Sequence, residues 1–463
     1  TPFSTAANGF FNPFIGQGSN PRTVLDFISG GYLTRKTRGE TASVNLKLDG
    51  ELFTLPAGAV GLAVGGQIRR EALKTGGVSL TSGFVPTEVA RRDVHRTIDA
   101  AFAEVRVPIF GGGFVRPGLQ RLELSAAVRR EDYGEIASTD PKVGVIWSPA
   151  AGLTVKASYG TSFRAPALIE LNEPQIYAPT TLTRNGQDTI VMILYGGNLD
   201  LRPETATSKT LTLELAPARW PRFKASVTGF DTRFTDRIGQ PGLDNLSTVL
   251  TAPEFAPFVS LVSPGSNPAD LARIQALIDD PRSLAQGIFP AQSYAAIIDG
   301  RWVNTGQLRV RGFDISARYA AQLGKDPLAL TADVTWLVDY QRKITPQARA
   351  VQQAGVAGQP ADLRLRAAAS WTHGALTTTA ALSHVGDLRT ETGGRIKPWT
   401  TADLNLTYGF KTGPMRGLSL ALNVQNLLDD DPPFYDSNLG VGYDPANADP
   451  LGRTVTLQLT KTW

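Results

Sequence analysis

The chain has 463 residues, 42% hydrophobic and 19% charged, which excludes a disordered chain, and it offers no run of the ~18 apolar residues that a membrane-spanning helix needs. Its 46 basic and 42 acidic residues are dispersed without a basic block, so nucleic-acid binding gains no support. Cysteine is absent, which excludes a disulfide framework and thiol chemistry, while 46 glycines and 31 prolines suit many strands separated by turns.

Neighbouring side chains on a strand face opposite sides, so period-two alternation is the signal to follow. It predicts fifteen strands, near residues 40–53, 58–74, 93–109, 119–133, 139–149, 153–164, 206–216, 223–238, 304–321, 327–343, 361–373, 375–387, 398–410, 417–427 and 453–463. In the last of these Val455, Leu457, Leu459 and Trp463 share one face with Lys461, while Thr454, Thr456, Gln458, Thr460 and Thr462 share the other. The same split sets Ala402, Leu404, Leu406, Tyr408 and Phe410 against Thr401, Asp403, Asn405, Thr407 and Gly409.

A soluble antiparallel sandwich alternates in the same way. Three features favour a membrane wall instead. The strands exceed the ~5 to 6 residues usual in globular sheets and reach the ~9 to 11 that a tilted lipid crossing requires. Tight turns (Pro149 to Gly152, Gly324 to Pro327, His373 with Gly374, Lys411 to Arg416) are interleaved with long segments near 165–205, 239–303, 344–360 and 428–452. Short periplasmic turns and long extracellular loops are the habit of outer-membrane barrels. Aromatic residues, among them Tyr159, Tyr319, Trp371, Tyr408, Phe410 and Trp463, recur near the ends of apolar faces, where interfacial girdles form.

Within the long segment from Gly239 to Trp302, Ser266, Asn267, Pro268 and Asp270 precede Leu271, Ile274, Leu277 and Ile278. A cap, a proline in the first turn and a three-four apolar stripe predict a short helix packed on an extracellular loop. Such a helix would alternatively touch a substrate or a lipoprotein lid.

Catalytic constellations are missing from the sequence. His95, His373 and His384 lie apart without H-E-x-x-H spacing, and no G-x-S-x-G elbow or P-loop occurs, so neither catalytic nor metal-binding residues are expected.

Three stretches carry a family resemblance. Pro141 to Asn172 reads PKVGVIWSPAAGLTVKASYGTSFRAPALIELN, in which a strand, a tight turn and a second strand lead to S-F-R-A-P. Asn198 to Thr205 reads NLDLRPET and opens another strand, with Leu199 where the family usually has proline. Leu422 to Pro433 reads LNVQNLLDDDPP, and the chain closes on Trp463 where phenylalanine is commoner. In this order, and over residues 40 to 463, the chain resembles the C-terminal β-barrel portion of TonB-dependent receptors.

The residues of these motifs read first as architecture. Pro166 ends a strand and restricts the residue before it, Pro203 and Glu204 restart one, and Asn426, Asp429, Pro432 and Pro433 fix a loop exit.

The resemblance implies an all-β, antiparallel transmembrane β-barrel in the outer membrane of a Gram-negative bacterium. About 15 of the family's 22 strands would be present, the plug domain and its TonB box would lie upstream, and residues 1–39 would be the remnant of an extracellular loop with a small turn over Phe11 to Gly16. An odd strand count would leave the sheet open.

The implied function is active uptake of a scarce solute into the periplasm, energised through the TonB complex. Ferric siderophore is the default cargo, with cobalamin, an oligosaccharide or a peptide left open. A passive outer-membrane porin is the alternative, and no cofactor is implied. Expected substrate contacts are Arg164, Tyr177, Arg184, Tyr195, Trp302, Tyr435 and Tyr443. Lys156, Arg318, Arg364 and Arg366 are expected to face the lumen, where they would favour anionic ligands or plug carboxylates. Trp463 is the expected signal for the outer-membrane assembly machinery, with outer-membrane lipid as the remaining partner.

Overall fold

The computed structural model describes residues 9–12, 14, 20–80, 85–345, 348–436 and 440–462. Fifteen antiparallel strands follow one another in chain order across a single sheet. They are β1 Tyr32–Leu55, β2 Gly58–Leu80, β3 Thr87–Phe110, β4 Arg121–Asp132, β5 Ala137–Ala150, β6 Leu153–Arg164, β7 Glu204–Leu215 and β8 Phe223–Thr235. Then come β9 Gln307–Leu323, β10 Asp326–Arg342, β11 Leu363–His373, β12 Leu376–Val385, β13 Trp399–Gly409, β14 Leu418–Gln425 and β15 Thr454–Lys461. The sheet's sixteenth strand is the short Val351–Gln352, which pairs with the loop end of β10. Among the described residues β1 pairs only with β2 and β15 only with β14, so the sheet has two open edges.

Register converts alternation along each strand into continuous faces across the sheet. Leu420, Leu422 and Val424 oppose Leu459, Leu457 and Val455 on one side, and Tyr408, Leu406 and Leu404 on the other. One residue along, Ser419, Ala421 and Asn423 oppose Thr460, Gln458 and Thr456. Among the described residues the greasy face has no protein partner: Leu457 keeps 68% of its surface uncovered and Val44, at the far edge, 75%. The polar face is laced by hydroxyl pairs between neighbouring strands, such as Ser158 with Thr210 at 2.7 Å and Thr212 with Thr228 at 2.9 Å. An apolar face without a second sheet against it is stable when lipid covers it, and this is the arrangement of a barrel wall.

The first three strands are longer than alternation predicts, at 24, 23 and 24 residues. Their extra stretches of ladder carry polar residues on both faces, among them Thr34 to Arg38 and the pair Arg91 and Arg92. Beyond the apolar band a strand needs its hydrogen bonds but no greasy side, so the pattern fades while the pairing continues. The expected boundary at residue 40 therefore moves to Tyr32, and a short helix, Arg22–Ser29, precedes it. Half of the turn expected over Phe11 to Gly16 falls outside the described residues.

The long segments near 165–205 and 239–303 are more than loops. They contain a second, four-stranded sheet in the spatial order Val259–Leu261, Tyr294–Asp299, Gln187–Tyr195, Ile176–Arg184. Its two central strands run parallel, with Ile297 and Ile298 beside Met192 and Ile193. The hairpin Ile176–Tyr195 turns on Asn185 and Gly186, with φ of 51° and 78°, the double positive φ that fits the twist of a two-residue hairpin. The expected helix is Pro268–Asp279, capped by Asn267 Oδ1 accepting from Ala269 N at 3.0 Å and burying Ile274 and Ile278. Val191, Met192, Ile193, Ile274 and Ile298 are wholly buried, so the dry core of the described residues is concentrated in this loop module and not in the wall.

Candidate substrate-facing surface

The loop module stands on the ends of β6, β7, β8 and β9, and an ion-pair knot roots it there. Arg164, at the end of β6, directs Nε and Nη2 to the two oxygens of Glu204 at 3.0 and 2.9 Å. Its Nη1 and Nη2 also donate to Glu170 at 3.0 and 3.1 Å. Glu170 sits in the first turn of the short helix Leu168–Asn172 and accepts from Ala167 N at 2.6 Å, while Glu204 accepts from Ile238 N at 2.6 Å. Arg164 belongs to S-F-R-A-P and Glu204 to N-L-D-L-R-P-E-T, so two motifs forty residues apart fold into a single contact. All three guanidinium nitrogens are engaged, and a planar fork held between two carboxylates is a fixed strut. Arg164 is therefore positioned to hold the loops.

The other expected contacts fall into two groups. Tyr177, Arg184, Tyr195 and Trp302 belong to the loop module. Tyr177 is buried, with the Arg282 guanidinium 4.9 Å from its ring centre. Tyr195 is half-buried, and burial pushes its phenol pKa up. Trp302 is half-buried and donates Nε1 to Glu173 at 3.0 Å. Arg184 precedes the hairpin turn and is half-buried.

Tyr435 and Tyr443 belong to the last loop, and both are half-buried. Tyr435 packs against Ala357, Ala361, Leu388 and Ile396. Burial first, then the nearby Glu391, Asp444 and Asp436 carboxylates, raise its phenol pKa.

Buried polar side chains pin these loops to one another. Asn447 accepts from Ala361 N at 3.1 Å and from Arg364 Nη2 at 2.6 Å, and donates to Gln359 O and Asp444. Asp444 accepts from Gly358 N at 3.1 Å. In the loop module, Arg301 clamps Asp299 at 2.7 Å. Burial pushes the Asp299 carboxyl up, but the hydrogen bonds and charge of Arg301 outweigh it and hold the group below the usual carboxylate range. On an exposed turn nearby, hydrogen bonds from Arg282 lower Asp280 to about 2. Glu173 joins the first strand to the module by accepting from Arg35 at 3.1 Å as well as from Trp302.

None of Glu170, Glu173, Asp444 and Asn447 stands out in the sequence, and the last three act on partners far along the chain. Glu170 alone leaves a local trace, as an acid in the first turn of a helix that begins after Pro166.

On the wall, Lys156, Arg318, Arg364 and Arg366 all lie on the polar face, in rows that include Thr212, Thr331, Thr335 and Asp333. Lys156 bonds Glu214 at 2.6 Å, Arg364 bonds Asn447, and Arg366 bonds Ser383 at 2.8 Å with Asp403 at 3.6 Å. Arg318 differs from these, for it stands in register beside Lys224 and meets no carboxylate among the described residues. Trp463 falls outside the described residues. Among the described residues no three His, Asp or Glu side chains gather into a metal site.

A two-faced wall of long strands, with short connections at one end and interlocked loops at the other, defines the class as an outer-membrane β-barrel. The sequence profile described as TonB dependent receptor-like, beta-barrel matches residues 3–427, and the chain belongs to that family. The family is one of Gram-negative outer-membrane transporters and not of enzymes.

Solved structures share the fold. The siderophore receptor PirA from Acinetobacter baumannii superposes with a TM-score of 0.62 at 17% identity, over 91% of this chain and 55% of that one. A mutant of the ferric enterobactin receptor PfeA from Pseudomonas aeruginosa gives 0.60 at 20% identity, over 92% and 54%. The copper transporter OprC gives 0.55 at 16%, over 92% and 57%. The chain thus spans about half the length of the structures it is similar to. No curated protein matches it.

Proposed function

We propose that this chain supplies the wall and the extracellular loops of a transporter that captures a scarce solute outside the cell and passes it to the periplasm with energy delivered through TonB. The carrying observation is the pairing of a lipid-fit wall with loops locked above its polar face by Arg164, Glu170, Glu204, Asp444 and Asn447. A passive pore has no need of so costly a superstructure, whereas a receptor must hold its loops in one arrangement to recognise a dilute ligand.

Ferric siderophore is the cargo favoured by this reading. The solved PirA and PfeA proteins are described as receptors for a siderophore and for ferric enterobactin, and the polar face carries the adjacent cations Lys224 and Arg318, which would draw an anionic chelate or a plug carboxylate. Arg184, Tyr195, Trp302, Tyr435 and Tyr443 are the loop side chains proposed to touch the solute. Trp463 is the proposed contact with the assembly machinery, in the manner of the family's last strand.

The test is uptake of a panel of iron-55 siderophores by cells carrying the intact protein, with and without a functional TonB complex. At least one chelate should enter in a TonB-dependent manner. Entry that persists without TonB would indicate a passive pore, and entry of none of the chelates would remove the siderophore reading.

A further inference from the structure

Seven short connections of the wall, 56–57, 111–120, 151–152, 216–222, 324–325, 374–375 and 410–417, lie at one end of the sheet. They hold the six cations Arg116, Arg219, Arg222, Lys325, Lys411 and Arg416 and no carboxylate, although the whole chain is nearly balanced at 46 basic to 42 acidic residues. A rim of one sign is a field, and a field at a membrane boundary selects lipid headgroups of the opposite sign.

One of these connections is also concave. Residues 216–222 close on themselves through Trp220 N donating to Pro217 O and Phe223 N donating to Trp220 O, each at 2.9 Å. Together with Tyr319 of β9 they border a cleft of about 450 Å³, lined by Arg219, Trp220, Pro221, Arg222, Phe223 and Tyr319. Trp220 and Tyr319 are exposed. Tyr319 is the register partner of Phe223 on the apolar face, and the rows beside them carry Ala225, Leu215 and Ala317. Neither arginine forms an ion pair among the described residues, and Arg222 has only Gln322 Oε1 at 3.3 Å as a polar side-chain contact there.

We propose that this cleft seats an anionic glycerophospholipid of the periplasmic leaflet. Its phosphate lies on Arg219 and Arg222, whose forked donors match phosphate oxygens. The rings of Trp220 and Tyr319 bracket the glycerol at the depth where amphipathic aromatics settle, and the acyl chains run along the apolar face past Leu215. A protein partner fits less well, because the cleft opens onto the face that lipid already covers. The proposal rests on the family assignment, which makes the short connections periplasmic, and is independent of which solute is carried.

The experiment is native mass spectrometry of the intact protein in detergent, with phosphatidylglycerol and phosphatidylcholine added at equal concentration. Phosphatidylglycerol should be retained preferentially. The double variant Arg219→Gln/Arg222→Gln should lower its retention roughly 10- to 30-fold, at about fivefold per lost charge. Arg219→Lys/Arg222→Lys should keep most of it, and sn-glycerol 1-phosphate at the same concentration should not displace it.

Equal retention of the two lipids, unchanged retention in the glutamine variant, or displacement by the soluble phosphate would each overturn the proposal. If the double glutamine variant fails to assemble, Arg219→Gln alone carries the test, with a loss of about fivefold expected. Lipid retention and TonB-dependent uptake are read separately, so one can fail without the other.

Discussion

Leu457 in the wall and Ile298 in the loop module are both aliphatic strand residues, yet one leaves 68% of its surface uncovered and the other none. The wall reads as alternation because each strand has a lipid side and a polar side. The module's central strands are covered on both faces, so they read as the unbroken runs Ile190 to Leu194 and Ala295 to Ile298. The same chain thus builds sheet for two solvents. In the wall, stability comes from ladders and from fit to lipid; in the module it comes from water excluded by close-packed side chains.

The strongest way to break this comparison is a charge in the module. Ile298→Asp buries a carboxylate among Val191, Ile193 and Val249 without a partner, at a cost on the order of 4 kcal/mol to the module. Limited trypsin digestion should then cut within residues 165–305 while amide exchange in β11 to β15 stays slow. Loss of protection in those strands as well would mean that the two regions fold as one body.

Next in size is the pair Leu457→Asp and Thr456→Asp, one residue apart on β15. The first places its carboxylate on the apolar face and should cost about 1 to 3 kcal/mol in urea titrations in phospholipid vesicles. The second lies on the polar face opposite Asn423 and should be nearly silent. Equal effects would contradict a wall with lipid on one side only.

What was legible in the sequence follows from the same contrast. The fifteen wall strands and their order could be read because a lipid boundary imposes period two on each of them. The family motifs could be read because they shape local backbone, as Pro166 and Pro203 do at strand ends. In the sequence the module reads as loop with one helix, since strands buried on both faces carry no alternation. Its signals were nevertheless present: Asn185 with Gly186 between Thr-rich and Ile-rich stretches is a strong local mark of a hairpin.

The polar-face position of the wall cations follows from strand parity alone. The partners that fix the loops are not legible in this way, because Asn447 and Arg364, or Glu173 and Arg35, meet only after the sheet has brought distant segments together. Tyr177 lies in the module's core, a placement that composition alone does not reveal.

A smaller effect tests whether the last loop is held by its buried polar anchors. Asn447→Ala strips an acceptor from Ala361 N and Arg364 and a donor from Gln359 O and Asp444. A local loss of about 2 kcal/mol is expected, which would speed exchange at the Gly358 and Ala361 amides by roughly 30-fold. Unchanged exchange would show that Tyr435 and its apolar neighbours hold the loop unaided.

The smallest expected effect probes the turn that makes the module a sheet. Asn185 adopts φ of 51°, a left-handed conformation that asparagine tolerates and alanine resists by roughly 1 kcal/mol. Asn185→Ala should therefore accelerate exchange across the pairs Leu182 with Thr189 and Thr180 with Val191 by about fivefold, and Asn185→Gly should leave it unchanged or slower. The turn ends the edge strand of the module's sheet, and the Arg164 guanidinium engages only Glu170 and Glu204 among the described residues, so strands β6 and β7 should not respond. If Asn185→Ala is silent in the hairpin, the turn follows from the packing of Met192 and Ile193 on their parallel neighbour, and the local signal in the sequence is a consequence of the module's core instead of a cause of its fold.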